Sequence, residues 1–101
     1  MKVILKLFVT GHSAKSENAI VTLNHIAETY FKNDCEIIVI DVLEQPQVAE
    51  DDHILATPTL IKRYPPPTRR IVGDLSNIPL VLRGLGISTE HTMLPSGEQV
   101  Q

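Results

Sequence analysis

The sequence has few of the residues on which redox, metal-dependent and membrane functions depend. It contains one cysteine, Cys35, no tryptophan, and only 4% aromatic residues in 101 positions. A single cysteine excludes an internal disulfide framework, and no apolar run approaches the ~18 residues of a membrane span. Because Met1 leads directly into a strand pattern, we expect no signal peptide and a cytoplasmic location.

Charge and size restrict the class of protein further. The formal net charge is −3 and the pI is near 5.7, which does not favour non-specific nucleic-acid binding. With 43% hydrophobic residues, a chain of this length supplies one small core. We therefore predict one domain over residues 1–87 and a polar tail over residues 88–101, with neither nucleic acid nor a membrane as partner.

Apolar periodicity in the first half predicts a strand, a helix and a second strand. Lys2 to Thr10 alternates a wholly apolar face with a mixed one, which is typical of a strand. Ser13 or Ser16 is placed to cap the following helix, whose apolar residues recur three and four positions apart. Glu36 to Val42 is β-branched and apolar, which indicates a central strand covered on both faces. These elements form a βαβ unit with parallel strands and a right-handed crossover.

The second half is organised around a proline-rich hairpin. Two β-like runs, Thr59 to Ile61 and Thr68 to Val72, flank the triplet Pro65, Pro66 and Pro67. Three prolines fix φ and remove three N–H donors, so no helix or central strand passes through them. A brief helix over the acidic stretch before this hairpin, with a proline in its first turn, completes the connection.

A last helix is predicted from Ile78 to Leu85, with Ser76 as its N-cap and Pro79 in its first turn. The order β-α-β-α-β-β-α, with Thr57-Pro58 before the third strand, is that of a thioredoxin-like α/β fold. That fold commonly has a cis proline at this position, so we expect Pro58 to be cis although few X–Pro bonds are.

Motifs for catalysis and cofactor binding are not found. A thioredoxin-like enzyme needs a reactive cysteine at the N-terminus of the first helix, usually in C-x-x-C, whereas this loop reads GHSAKS. The same loop lacks the second glycine of a P-loop. The four histidines have no paired ligand spacing, and Glu50, Asp51 and Asp52 are interpreted as a solvated acidic end. We expect no enzymatic activity, no metal and no cofactor.

A basic cluster flanks the proline turn and consists of Lys62, Arg63, Arg69 and Arg70. The hairpin brings these residues to one end of the sheet, where they form a positive patch on an acidic protein. Arginine suits bidentate recognition of carboxylates, so an acidic protein surface is one partner. Charges that discourage strand-edge aggregation are an equally good explanation from the residues alone.

Five segments resemble the KaiB family of bacterial circadian-clock proteins and cover most of residues 3–87 in one register. They are LKLFVTG (Leu5 to Gly11), VIDVLEQPQVAE (Val39 to Glu50), ILATPTL (Ile54 to Leu60), PPPTRRIVGDLSN (Pro65 to Asn77) and VLRGL (Val81 to Leu85). The resemblance implies a non-enzymatic protein that binds the N-terminal ATPase ring of KaiC and then sequesters KaiA. A sensor kinase is a further partner to consider.

The resemblance also implies two folds, a tetrameric ground state and a thioredoxin-like monomer that differ in the second half of the chain. The second half of this chain therefore has two candidate folds, and we expect a homo-oligomer, a dimer or a tetramer. Pro58, Pro65, Pro66 and Pro67 are the candidate switch residues, because proline isomers separate two packings by slow steps.

Carried over position by position, the resemblance assigns partner binding to Lys6, Arg69, Arg70 and Asp74. Other positions depart from the family pattern: Asn18 replaces an arginine, His53 a lysine and Gly86 an acidic residue, and the acidic tail is replaced by Ser88 to Gln101. Losing two cations from an interface with acidic residues weakens binding by ~1–3 kcal/mol each if they are buried.

Three hypotheses follow. The first is a KaiB-like regulator that binds a KaiC-type ATPase in circadian or stress signalling. The second is a thioredoxin-like redox or glutathione-binding protein, and the third is an oligomerisation module in a sensor complex.

Overall fold

The computed structural model describes residues 2–32, 34–73 and 75–86. Asp74 and the predicted tail over residues 88–101 therefore lie outside the described residues. The elements are β1 (Val3–Val9), α1 (Ala14–Tyr30), β2 (Cys35–Asp41), α2 (Pro46–Asp51), β3 (Thr59–Tyr64), β4 (Arg69–Val72) and α3 (Ile78–Gly84). This is the predicted order, and the second half has the thioredoxin-like arrangement rather than an alternative one.

The four strands form one sheet in the order β2-β1-β3-β4. β1 pairs with β2 in parallel, as the βαβ prediction requires, and with β3 antiparallel. The prediction that Glu36 to Val42 forms a central strand is wrong, because β2 lies at the edge of the sheet. The β-branched composition of β2 reflects burial of both faces of the strand, since Ile37 and Ile38 pack on opposite cores. It does not reflect hydrogen bonding to a neighbouring strand along each edge.

The two faces of the sheet carry separate cores, and β1 contributes to both. Leu5, Leu7 and Val9 pack under α1 and α3, whereas Phe8 faces α2 with Ile61 of β3. The predicted alternation of β1 is confirmed, and residues two apart on a strand share a face. We call these the α1/α3 face and the α2 face.

Helix starts follow the predicted capping chemistry with one correction. The Ser13 side chain accepts the Ser16 N–H and caps α1. At α3 the cap is Asn77, whose Oδ1 accepts the Leu80 N–H at 3.2 Å, so the prediction of Ser76 was one residue early. Asn and Ser cap almost equally well, so the pattern S-N-I-P does not decide between them.

Pro58 is cis, as predicted, and so are the bonds before Pro65 and Pro67. Pro58 is buried at the start of β3, whereas the proline triplet forms the turn between β3 and β4. In the described part of the chain, no helix is long and apolar enough to cross a membrane.

Candidate partner-binding surface

Serine hydroxyls occupy the position at which a thioredoxin-like enzyme carries its thiols. Ser13 and Ser16 open α1 three residues apart, with 2.9 Å between their Oγ atoms. The Ser16 Oγ donates to the Thr10 carbonyl, and the Thr10 hydroxyl lies 2.6 Å from that of Thr57, beside cis-Pro58. Ser16 is fully buried but satisfied. This network orders the loop and supplies no nucleophilic sulfur.

Cys35 lies at the start of β2, far along the chain from that loop. Burial raises the pKa of its thiol to about 11, and the negative charge of Asp34 adds to the increase. Because the thiolate is the reactive form, this cysteine is poorly suited to redox chemistry at neutral pH. Among the described residues, no group of three or more His, Cys, Asp or Glu side chains is arranged to hold a metal.

The β3–β4 hairpin brings the predicted basic residues together but divides them between two faces. Ile61 pairs with Arg70, and Lys62 pairs with Arg69. Arg70 therefore shares the α2 face with Ile61, whereas Lys62 and Arg69 share the α1/α3 face. The single positive patch predicted from the sequence is in fact two groups with different surroundings.

The first group, which we call the Asp52 cluster, comprises Lys6, Asp52, Arg63 and Arg70. The Lys6 ammonium donates to Asp52 Oδ2 at 3.1 Å and lies 5.9 Å from the ring centre of Phe8. Arg63 donates to Asp52 Oδ1. Arg70 donates to the Asp52 carbonyl at 2.8 Å and to the His53 carbonyl at 3.3 Å, so it caps the C-terminal end of α2. Three strands are thus tied to one helix end.

The carboxylate of Asp52 is the centre of this cluster, so the prediction that it belongs to a solvated acidic end is wrong. Its side chain is only 15% exposed. Burial raises the pKa of Asp52, but the hydrogen bonds and positive charges of Arg63 and Lys6 outweigh burial and hold that pKa below its ordinary value. The cluster holds three cations and one carboxylate, which Lys6 and Arg63 contact, so it keeps a net positive charge.

Sequence reasoning missed Asp52 because two further acids, Glu50 and Asp51, precede it. The position of Asp52 at the C-terminal end of α2 was a signal. The helix dipole places a partial negative charge there, which disfavours a carboxylate unless cations neutralise it.

The second group is the Lys62–Arg69 pair. Arg69 is exposed, and its Nε lies 3.3 Å from the position that a Cβ on Gly86 would occupy. Lys62 is only 5% exposed. Neither side chain makes an ion pair or hydrogen bond within the described residues, in contrast to the three cations of the Asp52 cluster.

Comparison with known proteins identifies relatives over nearly the whole described chain. Residues 6–87 match the family model of the KaiB domain. The circadian clock oscillator protein KaiB of Acaryochloris marina is 54% identical over 88 residues, which cover 87% of this chain and 85% of that protein.

Two solved structures show the same fold. The N-terminal domain of Synechococcus elongatus SasA superposes with a TM-score of 0.67 at 25% identity and covers 85% of both chains. Oxidised mitochondrial thioredoxin 3 from Saccharomyces cerevisiae has a TM-score of 0.67 at 19% identity, with coverage of 84% of this chain and 77% of that one. The thioredoxin likeness establishes the fold alone.

Proposed function

This chain belongs to the KaiB family, and from that premise we propose that it is a non-enzymatic clock regulator that binds a KaiC-type ATPase. Its curated relatives are circadian clock oscillator proteins, which supports a role in a clock. The position of a thioredoxin active site carries Ser13 and Ser16, and the pKa of Cys35 is raised, which supports binding rather than redox catalysis.

The observation that carries the proposal is the exposure of Arg69 and Arg70 beside a rigid turn on a protein of net charge −3. Rigidly placed guanidinium groups suit carboxylates on a partner surface. Lys6, a member of the Asp52 cluster, adds positive charge on the α2 face. Asp74 belongs to this proposed surface on the family resemblance alone, since it lies outside the described residues.

The proposal extends to assembly and switching. A homo-oligomer, a dimer or a tetramer, is the proposed resting state, and KaiA or a sensor kinase is a proposed further partner. The region from Pro58 to the triplet Pro65, Pro66 and Pro67 is the proposed place where two packings diverge. A stress-signalling role uses the same binding activity with a different downstream pathway.

A binding experiment with the KaiC-type ATPase of the same genome tests the proposal. The ATPase hexamer is incubated with ATP and this protein for a day, and the complex is measured by size-exclusion chromatography and fluorescence anisotropy. We expect a complex with the wild-type chain, and at least about tenfold weaker binding for Arg69→Glu/Arg70→Glu, because reversed charges face acidic groups.

The matched control is Lys15→Glu, which makes the same kind of charge reversal in the first turn of α1, where the side chain is exposed. It should bind like the wild type. No complex with the wild-type chain, or equal weakening by the control, would contradict the proposal.

A further inference from the structure

An apolar crevice lies at the end of the sheet opposite the proline turn, where β1 and β2 finish and β3 begins. Its lining includes Val42, Ala49 and Ile54, which belong to the core of the α2 face or pack against it, and its volume is about 200 Å³. A buried apolar cavity of roughly 150 Å³ is large enough for benzene. The crevice therefore has room for one side chain of the size of leucine or phenylalanine.

Two leucines at the rim of this crevice are the most exposed large apolar side chains among the described residues. Leu55, which lines the crevice, is 97% exposed, and Leu43 is 69% exposed. Leu43 follows Val42 of the lining, and its Cδ1 lies 3.6 Å from the position that a Cβ on Gly11 would occupy. A single exposed leucine is common, but two beside one apolar cavity indicate a place where another apolar group binds.

The segment from Leu55 to Thr57 also has backbone groups that are free to pair with another chain. Among the described residues, the backbone N–H and C=O groups of Leu55 and Thr57 make no hydrogen bond. Thr57 precedes Pro58, which restricts Thr57 to extended conformations. Residues two apart on an extended segment direct their backbone groups to the same side, so a peptide strand can pair with them as it does at a sheet edge.

The charge around the crevice selects a basic occupant. No lysine or arginine occurs from Asp41 to Thr57, whereas Glu44 and Glu50 are exposed and lie within two residues of lining residues. Neither of these carboxylates makes an ion pair or a hydrogen bond with the rest of the described chain. Cations that flank an apolar side chain would meet unmatched negative charge here, which favours their association.

We propose that this crevice binds an extended peptide segment of a partner protein, in which one apolar side chain is flanked by lysine or arginine. The apolar side chain fills the crevice between Leu43 and Leu55, and the peptide backbone pairs with Leu55 and Thr57. The cations of the peptide face Glu44 and Glu50. The site is defined without the ATPase or the hairpin cations, so it goes beyond the proposed function and does not depend on it.

A titration of the full-length chain with the peptide Ac-KVLVK-NH2, followed by amide NMR shifts, tests this site. We expect saturable shifts centred on Leu43 and on residues 55–57. Leu55→Ser and Leu43→Ser should each weaken binding about fivefold or more, because each removes an apolar side chain that the peptide covers. Both leucines are exposed, so the variants should fold, which their amide spectra check directly.

Leu80→Ser is the matched control, since that leucine is 56% exposed and belongs to α3 on the other face of the sheet. It should bind the peptide like the wild type. The peptide Ac-EVLVE-NH2 has the same apolar centre with reversed charges and should bind at least about tenfold more weakly. Arg69→Glu/Arg70→Glu should still bind the basic peptide, which separates this site from the proposed ATPase surface.

The absence of saturable shifts, equal weakening by Leu80→Ser and Leu55→Ser, or equal binding of the acidic and the basic peptide would overturn the site. Two other occupants are tested without peptide. Crevice shifts on dilution of the wild-type chain would assign the site to a second copy of this chain. Crevice shifts caused by Leu94→Ser would assign it to residues 88–101. Either result would overturn the proposed occupant.

Discussion

Cys35 lacks the low pKa that the reactive cysteine of a thioredoxin-like enzyme needs. Its thiol has a pKa of about 11 because it is partly buried and beside Asp34. At pH 8 its thiolate fraction is lower than that of an ordinary cysteine by about two orders of magnitude. We therefore predict alkylation by iodoacetamide about a hundredfold slower than for free cysteine.

The same reaction in 6 M urea provides the control, since unfolding restores an ordinary thiol and should restore the rate. If the folded protein reacts about as fast as free cysteine, burial does not raise the pKa of Cys35, and the hypothesis of a redox protein is supported instead.

His53 has the left-handed backbone conformation that ends α2, with φ of 57°. The Ile54 N–H donates to the Ala49 carbonyl and the His53 N–H to the Glu50 carbonyl, which is the hydrogen-bond pattern of a Schellman motif. A β-carbon is unfavourable there, so His53→Gly should increase the free energy of unfolding by about 0.5–1 kcal/mol.

Urea denaturation measures this change, and His53→Ala is the matched control because it keeps the β-carbon. Equal stabilisation by both variants would show that the histidine ring, not the backbone conformation, is responsible.

Among the elements, α2 is held to the sheet through Asp52 as well as through its short apolar face. Replacing this carboxylate by an amide in Asp52→Asn leaves Lys6 and Arg63 without their anion. We expect a loss of about 1–3 kcal/mol in the free energy of unfolding at pH 7, because hydrogen bonds to charged groups are lost.

The pH dependence of that loss has a defined sign. The pKa of Asp52 is lower in the folded state than in the unfolded state, so its contribution is present above the ordinary pKa of about 4. It disappears as pH falls through the lower, folded-state value. Urea denaturation between pH 7 and pH 3 should therefore show a smaller acid-induced decrease in Asp52→Asn than in the wild type.

Asp51→Asn is the neighbouring control, since that carboxylate is exposed and accepts a hydrogen bond from Gln47 at 3.0 Å. Its stability should stay within about 0.5 kcal/mol of the wild type at each pH. A pH profile of Asp52→Asn that parallels the wild type would contradict the assigned role of the cluster.

Element types and their order were predictable because apolar periodicity and proline positions act locally. The Ser13 cap and the hairpin follow from such signals, whereas the cis state of Pro58 was predicted from the thioredoxin-like fold, in which a cis proline commonly occupies this position. The edge position of β2 did not, because a β-branched strand has the same composition whether one or both of its edges are paired. Strand order depends on long-range packing, which local sequence does not encode.

The candidate site was predictable in composition but not in arrangement. The four cations around the turn were visible in the sequence, yet their division between two faces depends on the register of β3 and β4. The counter-charge from Asp52 comes from another element altogether. Lys62 thus becomes distinct from Arg63 only when the hairpin pairing and the position of α2 are known.

At the scale of the whole molecule, the chain has a thioredoxin-like fold, and serines rather than thiols lie at the start of α1. What distinguishes its surface is positive charge concentrated at the β3–β4 hairpin of an otherwise acidic protein. Under the proposed function, this hairpin contacts another protein, and its orientation is fixed by the turn and by the end of α2.

Zero-length carbodiimide cross-linking of this protein to the KaiC-type ATPase, followed by mass spectrometry, tests that claim most directly. The reagent joins a lysine ammonium to a carboxylate in contact with it. We expect a link from Lys6, the lysine of the proposed partner-binding surface, to a Glu or Asp of the ATPase, and Lys6→Met should abolish it. Links to the ATPase only from remote lysines such as Lys15 would contradict the proposed surface.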